Sequence, residues 1–354
     1  HAAQGSNEQK IGDYYALAMD SLRRQKEGIE PIRPIIERIQ SMSFNVKDST
    51  FAENLAYFHL NLGNPFFAVG CTPDSKNSSM NIAELWQDGI GLPNRDYYFD
   101  ESEKGQEIIQ GYKRMVAKYL ELIGVDSSES RANAVYDFEK KLAGQMNTKV
   151  QNRDPQAVYN KSSFDDLKKN YPDFNWDAYF NAFPVKPSEL TVGQPRYFSN
   201  LFKTIAETDS ITLSDYLLVA TINYVASYLS DDYMMAKFDF YSKQLSGIEE
   251  LKPLWKRSLD MVQNRLGQPL GQLFVEKHFP MSAKNRTIDL IEHLRTAFGQ
   301  RIDALTWMGD STKAAAKVKL AAIGVKVGYP DKWEDFSGAE VDPSLSLVEN
   351  FIRL

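Results

Sequence analysis

The chain has 354 residues, 43% of them hydrophobic and 25% charged, enough for one large globular domain or two ordinary ones. Acidic residues outnumber basic ones by 47 to 41, for a formal net charge of −6. That balance argues against a nucleic-acid binder, which needs a concentrated basic face to release counterions from phosphates, and the apolar content argues against wholesale disorder.

Helical periodicity dominates from the start. The first helix is predicted to begin at Ser6, with Gln9 three residues on at capping-box spacing. Ile11, Tyr14, Tyr15, Ala18 and Leu22 mark one face, and Gly28 is a stop signal. Pro31 and Pro34 open a second helix bearing Ile35, Ile36 and Ile39; a first-turn N–H has no partner to lose. Pro65 to Gln87 breaks this pattern. Two β-prone runs, Phe66 to Val69 and Ile82 to Trp86, flank a turn-rich spacer at Pro73 to Ser79. They predict a hairpin, in the one place where strands are expected. Gly89 to Tyr98 follows as an ordered loop.

Helices then resume. Ile108, Tyr112, Met115, Tyr119, Leu120 and Ile123 form a stripe that ends at Gly124. Asp126 and Glu129 have capping-box-like spacing before Ala132, Tyr136, Leu142 and Met146. A polar loop at Asn152 to Pro155 leads to short helices near Phe164 and Trp176. Phe183 to Pro195 holds three prolines and a glycine and reads as the best internal linker. Long amphipathic segments follow through Leu201, Leu217, Phe238, Trp255, Leu273, Leu294 and Leu320, their aromatic and Met positions reading as core. The predicted fold class is therefore mainly α: a multi-helix domain with one small β-hairpin near residues 65–87. No stretch is long and apolar enough to span a membrane, and no fixed-period repeat is present.

The search for chemistry finds little. Cys71 is the lone cysteine, so no internal disulfide exists; with no His nearby in sequence it is expected to be a packing residue. Compartment is left open between cytosol and bacterial envelope. His1, His59, His278 and His293 include no pair at the one-turn spacing of a helical zinc motif, and each is expected to be a surface or core residue. There is no Gly-x-Ser-x-Gly elbow and no phosphate loop; Gly267 to Gly271 lacks the Lys and Ser/Thr of such a loop and reads as a break between helices. Asp165-Asp166, Asp231-Asp232 and Glu249-Glu250 read as solvated faces or caps, since neighbours on a helix point about 100° apart. The chain opens without an initiator Met or a signal peptide, and it ends on the apolar positions Leu347, Val348, Phe351, Ile352 and Leu354. The expectation is a processed or trimmed start and an end inside a larger protein.

Several stretches then agree. Gly91-Leu92-Pro93-Asn94-Arg95-Asp96-Tyr97-Tyr98 resembles the GLPxRDYY segment of the neprilysin family of zinc metallopeptidases. Asn152-Arg153-Asp154-Pro155 with Val158-Tyr159-Asn160-Lys161 resembles that family's polar loop and its YNK continuation. Leu266 to Phe279 resembles its G-x-L-[YF]-V-E-x-x-F helix, and Leu305 to Met308, Thr312-Lys313, Lys317 and Ile323 to Asp331 its L-x-W-M to I-G-Y-P-D block. Each is weak alone; in this order over nearly the whole chain they are strong.

The resemblance implies the N-terminal, mostly helical part of such an enzyme, with the single cysteine closer to the bacterial branch and a periplasmic or envelope setting favoured. It implies residues 1–100 as helices, hairpin and GLPNRDYY loop meeting the catalytic half, 101–340 as a helical lid, and 341–354 as the start of the connection onward. The family's His-Glu-x-x-His helix and downstream Glu are not in this sequence. The expectation is no cofactor in this chain, zinc in the missing C-terminal catalytic domain, and no activity alone. The expected partners are that domain and peptides. Arg95, Asp96, Asn152, Arg153 and Asp154 are the candidate interdomain or peptide contacts, with Arg–Asp pairs that merely fix loops as the competing reading. A stand-alone helical binding module remains the alternative, as does an unrelated hydrolase with dispersed carboxylates.

Overall fold

Apolar residues at helical spacing make most of this chain helical: in the computed structural model, which describes residues 2–354, helices hold 61% of the residues. In chain order they are α1 (Asn7–Met19), α2 (Ser21–Glu27), α3 (Arg33–Gln40), α4 (Ser49–Asn61), α5 (Glu103–Leu122), α6 (Ser128–Gln145), α7 (Phe164–Asn170) and α8 (Trp176–Asn181). They continue with α9 (Pro195–Ala206), α10 (Ser210–Val225), α11 (Asp231–Lys237), α12 (Leu254–His278), α13 (Met281–Ala304), α14 (Asp310–Ala321) and α15 (Leu347–Arg353). The mainly α class holds. His1 lies outside the described residues.

Local chemistry sets the helix ends, with some departures from expectation. Ser6 caps α1, its hydroxyl accepting from the Gln9 N–H at 3.2 Å, while Gln9 reaches back to the Gly5 N–H rather than to Ser6. The expected single helix to Gly28 is two, because Asp20 leaves the helix and caps α2 through the Arg23 N–H at 2.9 Å. Leu22, counted on the apolar face, is consequently 84% exposed. Asp126 does not cap α6; Ser127, in a left-handed conformation with φ 57°, precedes it without a side-chain cap. The break expected at Gly267 to Gly271 is a kink within α12. Leu266 is non-helical there, and Pro269 has no N–H to offer the preceding turn.

The hairpin sits where it was expected, as β1 (Phe67–Asp74) and antiparallel β2 (Asn77–Gln87). It is not the only strand pair. β3 (Lys161–Ser163) and β4 (Glu189–Val192) extend it to a four-stranded sheet in the order β1-β2-β4-β3, with β4 parallel to β2. The segment expected to be a linker thus contains β4, and Leu190, Thr191 and Val192 are buried. Strands of three and four residues carry too little alternation to be read from sequence. Cys71, expected to be packed, lies exposed on the edge strand β1.

Contacts divide the chain into two compact units. Residues up to Met19 and Pro253–Pro343 form one, in which α1 packs on α12 and α13 on α14. Little of α13 and α14 is buried: Lys284 and Ile302 in the first, no residue in the second. Leu290, Leu294, Phe298 and Trp307 are each more than half exposed.

The other unit comprises Asp20–Lys252 with Ser344–Arg353 and contains the sheet. The apolar end of the sequence is packed here as α15, Phe351 stacking on Tyr228. Its core is aromatic: Phe67 from β1 meets Trp176, Tyr179, Phe198 and Phe202, and Phe174 stacks on Phe202 at 4.4 Å. Such pairs add about 0.5–1.5 kcal/mol each beyond area burial.

His59 of α4 enters this cluster edge-on to Phe67. Its Nε2 lies 2.9 Å from the Pro65 carbonyl and therefore carries the proton; Nδ1 then accepts from the Tyr179 hydroxyl. Burial pushes its pKa down from 6.5 to about 4. Because the folded value lies below the ordinary one, the stability tied to neutral His59 is complete above 6.5 and is lost as pH falls toward 4. Long-range proton–nitrogen NMR should find His59 as the Nε2–H tautomer at pH 6, with a midpoint near 4. A midpoint at the ordinary value would contradict this packing.

Candidate functional site in the loop after the hairpin

β2 ends at Gln87, and the chain runs through Asp88-Gly89-Ile90-Gly91-Leu92-Pro93-Asn94 into a short 3-10 helix, Arg95–Phe99. Two glycines make the path possible. Gly89 has φ 93°, and a Cβ there would lie 2.5 Å from the Phe66 nitrogen. A Cβ on Gly91 would lie 2.0 Å from the Tyr112 hydroxyl. Phe66 itself, just before β1, has φ 65°, a conformation that disfavours side chains and persists only where its surroundings impose it.

Tyrosine hydroxyls impose it. The Phe66 N–H donates to Tyr216 at 2.9 Å, and Tyr216 in turn donates to the Gly89 carbonyl at 2.8 Å. Tyr197 lies between the carbonyls of Phe66 and Asp88, 2.8 Å from the latter. Tyr241 donates to the Gly91 carbonyl at 2.7 Å. Residues 66 and 88–91 are thereby fastened to α9, to α10 and to the π-helical turn Phe238–Gln244.

Glu139 of α6 closes the arrangement. It is 3% exposed and accepts from Tyr98 at 2.7 Å, from Tyr112 at 2.8 Å and from the Gly91 N–H. Tyr98 also accepts from the Leu92 N–H at 3.1 Å. Burial of this carboxyl without a neighbouring cation outweighs its three donors, and its pKa is pushed up to about 7. Burial likewise raises the Asp88 carboxyl, partly offset by the Gly89 N–H and Asn64.

Two hollows flank the loop. One, of about 230 Å³, is lined by Asp88, Gly91, Tyr112, Glu139, Tyr216 and Asn223, among others. The other, of about 140 Å³, is lined by Gln87, Asn94, Arg95, Asn147, Lys149 and Asn152, together with Asp88, Ile90, Pro93 and Met146. An amide lattice builds the second. Gln87 bonds both the N–H and the C=O of Asn147, at 2.6 and 3.1 Å. Gln194, fully buried, accepts from the Gln87 N–H at 2.8 Å and donates to Asn152 at 3.1 Å.

Of the five candidate residues, Arg95 and Asn152 come together on this second hollow; Asp96, Arg153 and Asp154 do not line it. Arg95 donates to the Ala143 carbonyl at 3.1 Å, and Arg196 to Gly144 at 3.3 Å. Both thus complete the negative C-terminal end of α6. The Arg95–Asp96 pair, at 3.5 Å with Asp96 half exposed, is a weak surface contact. Asp154 folds its own turn, accepting from the N–H groups of Gln156 and Ala157. The Arg153 guanidinium is exposed and has no hydrogen-bond or ion-pair partner among the described residues. Sequence reasoning missed Glu139, Gln194 and the tyrosines. Glu139 had a signal: it falls among Ala132, Val135, Tyr136, Phe138 and Leu142 on the buried face of α6.

A metal does not fit these residues. Among the described residues no three of His, Cys, Asp and Glu group to hold one. His59 has both nitrogens engaged, His293 bonds the Asp289 carbonyl at 2.7 Å, and His278 lies against Phe274.

Residues 1–330 match the family model of Peptidase family M13. The chain belongs to that family. It is 28% identical over 345 residues to human endothelin-converting enzyme 1, covering 93% of this chain and 44% of that protein. Rat endothelin-converting enzyme-like 1 is 30% identical over 271 residues, 75% of this chain and 35% of its own length. The zinc metalloprotease Zmp1 of Mycobacterium tuberculosis, solved with an inhibitor, superposes with a TM-score of 0.91 at 29% identity, over 99% of this chain and 53% of Zmp1. PepO from Lactobacillus rhamnosis, at 21% identity and a TM-score of 0.87, shares the fold over 100% of this chain and 56% of its own. The neprilysin-type resemblance is thus correct, and the chain corresponds to the N-terminal part of M13 zinc metallopeptidases. It spans about half the length of the relatives it matches.

The raised pKa of Glu139 has a testable sign. Its share of stability is present below 4.5 and is lost as pH rises to about 7, on the order of 3 kcal/mol at ~1.4 kcal/mol per unit. Glu139→Gln removes that slope. In urea denaturation the variant should gain on the wild type by up to about 3 kcal/mol between pH 5 and 8. Parallel pH profiles would show that Glu139 does not titrate as described.

Proposed function

We propose that this chain is the non-catalytic, substrate-access part of an M13 zinc metalloendopeptidase, governing which peptides reach a zinc centre that lies in the other half of the family's proteins. One observation carries the reading. The fold matches a zinc metalloprotease over 99% of this chain but only 53% of that protein, while no metal-holding group occurs among the described residues. The apolar side chains left exposed on α13 and in the turn after it, Leu290, Leu294, Phe298 and Trp307, further support a surface that another body covers.

In this reading residues 1–100 meet the catalytic half, 101–340 act as the lid and 341–354 lead toward the catalytic domain. Arg95 and Asn152 contribute to a wall facing peptide; Asp96, Arg153 and Asp154 lie on the rim that meets the other half. The chemistry belongs to zinc held elsewhere, and this chain contributes access and positioning.

The chain alone should bind no stoichiometric zinc and should leave a quenched fluorogenic peptide intact. Elemental analysis after zinc loading and dialysis, with the peptide assay run alongside, checks both. Zinc-dependent turnover that a chelator abolishes would overturn the reading.

A further inference from the structure

The 140 Å³ hollow beside Pro93–Arg95 has an unbalanced inventory of polar groups. Most of its side-chain acceptors are used, the Asn147 Oδ1 being the exception among the described residues. Asn152 Oδ1 accepts from Gln194, Asn94 Oδ1 from the Asp96 N–H, and Gln87 Oε1 from the Asn147 N–H. Asp88 turns its carboxyl to the Gly89 N–H at 2.8 Å and to Asn64. Its donors are left over. The Asn152 amide N–H₂ and the Lys149 ammonium have no protein partner among the described residues. Arg95 spends Nε on Ala143 and directs only a 3.5 Å contact at Asp96, so part of its guanidinium edge stays available. The Asn147 side chain is likewise unengaged among the described residues, although its backbone is held on both sides by Gln87.

We infer that this hollow is a subsite for a carboxylate carried by a peptide. Unspent donors and two cations, Arg95 held in place and Lys149 exposed, around a small cavity favour an anion rich in acceptors, and charge-assisted bonds to carboxylate are the strong ones. The donors are preorganised: Arg95 is held by the end of α6 and by the Phe99 ring 5.3 Å away, and Asn152 by buried Gln194. The negative end of α6 opposes an anion, but Arg95 and Arg196 already bond its last carbonyls. The hollow holds about 140 Å³, the space of roughly five water molecules at ~30 Å³ each. That is room enough for a carboxylate with a short aliphatic stem. Ile90, Pro93 and Met146 line it as apolar contacts for that stem. The inference rests on the reading that this chain meets peptides, and it names a group those peptides carry.

The test needs neither zinc nor turnover. Calorimetric titration of the whole chain, with chelator and at low ionic strength, compares three N-acetylated pentapeptides. One is Ala-Ala-Glu-Ala-Ala amide, the second its Gln counterpart, and the third penta-alanine with a free C-terminal carboxylate. At least one carboxylate peptide should bind about tenfold more tightly than the Gln amide, and high salt should erase most of the difference. A preference for the Glu amide identifies a side-chain carboxylate as the source; a preference for the third identifies the C-terminal one. Lys149→Glu, at an exposed position without a partner, should remove the preference while circular dichroism stays unchanged. Asn152→Ala should weaken it about threefold or more. Equal affinity for all three peptides overturns the subsite, as does a preference that survives Lys149→Glu. Turnover of these peptides with zinc would instead overturn the access reading, so the two failures are distinguishable.

Discussion

A buried carboxyl without a cation must be solvated by the protein. Glu139 meets that requirement with the hydroxyls of Tyr98 and Tyr112 and the N–H of Gly91. Each donor comes from a different element, so satisfying one carboxyl fixes α5, α6 and the loop after the hairpin relative to one another. Tyr216 and Tyr197 extend the same logic upstream by holding Phe66 in its left-handed conformation against Gly89. Withdrawing the Tyr216 or the Tyr197 hydroxyl would leave the Phe66 N–H or C=O unpaired, at roughly 1–3 kcal/mol. The loop is therefore tied to the helices around it through buried hydrogen bonds.

That order explains what the family's shared segments do in this chain. In Gly91-Leu92-Pro93-Asn94-Arg95-Asp96-Tyr97-Tyr98 the glycine lets Tyr112 approach, the last tyrosine reaches Glu139, and the arginine completes α6. In Tyr159-Asn160-Lys161, the tyrosine and lysine both reach Asp74 at the hairpin tip, and the asparagine bonds the Val192 carbonyl. These segments fasten loops to the small sheet and the α6 end. The guanidinium edge that Arg95 leaves unspent borders the hollow that Asn147, Lys149 and Asn152 also line. Rigidity and binding capacity are two results of one network: fixed donors lose little freedom when a ligand arrives.

Much of the fold was legible because it is written in period. The stripe of α5 and the isoleucines of α3 are buried as their spacing requires, and turn residues at Pro73 to Ser79 mark the hairpin. Missed features depend on contacts distant in sequence. β3 and β4 exist because β2 offers an edge, not because three or four residues declare a strand. The Asp20 break swaps one helix for two through a single capping carboxylate. The site was legible in part. Arg95 and Asn152 were singled out and do share a hollow, but the partner that links Asn152 to β2 is Gln194, from the stretch read as a linker. Glu139 stood in an apolar stripe as a visible contradiction, and the contradiction marked the centre of the network.

The central claim is that hydroxyl and carboxyl groups lock the loop after the hairpin. Native-state hydrogen exchange of wild type and Tyr216→Phe tests it most directly. In the wild type the amides of Phe66, Gly91 and Leu92 should be protected like those of α5 and α6, since they donate to Tyr216, Glu139 and Tyr98. In the variant the Phe66 amide and its neighbours should exchange about tenfold faster or more, while the helices keep their protection. Wild-type loop amides exchanging as freely as those of the exposed hairpin tip would contradict the account.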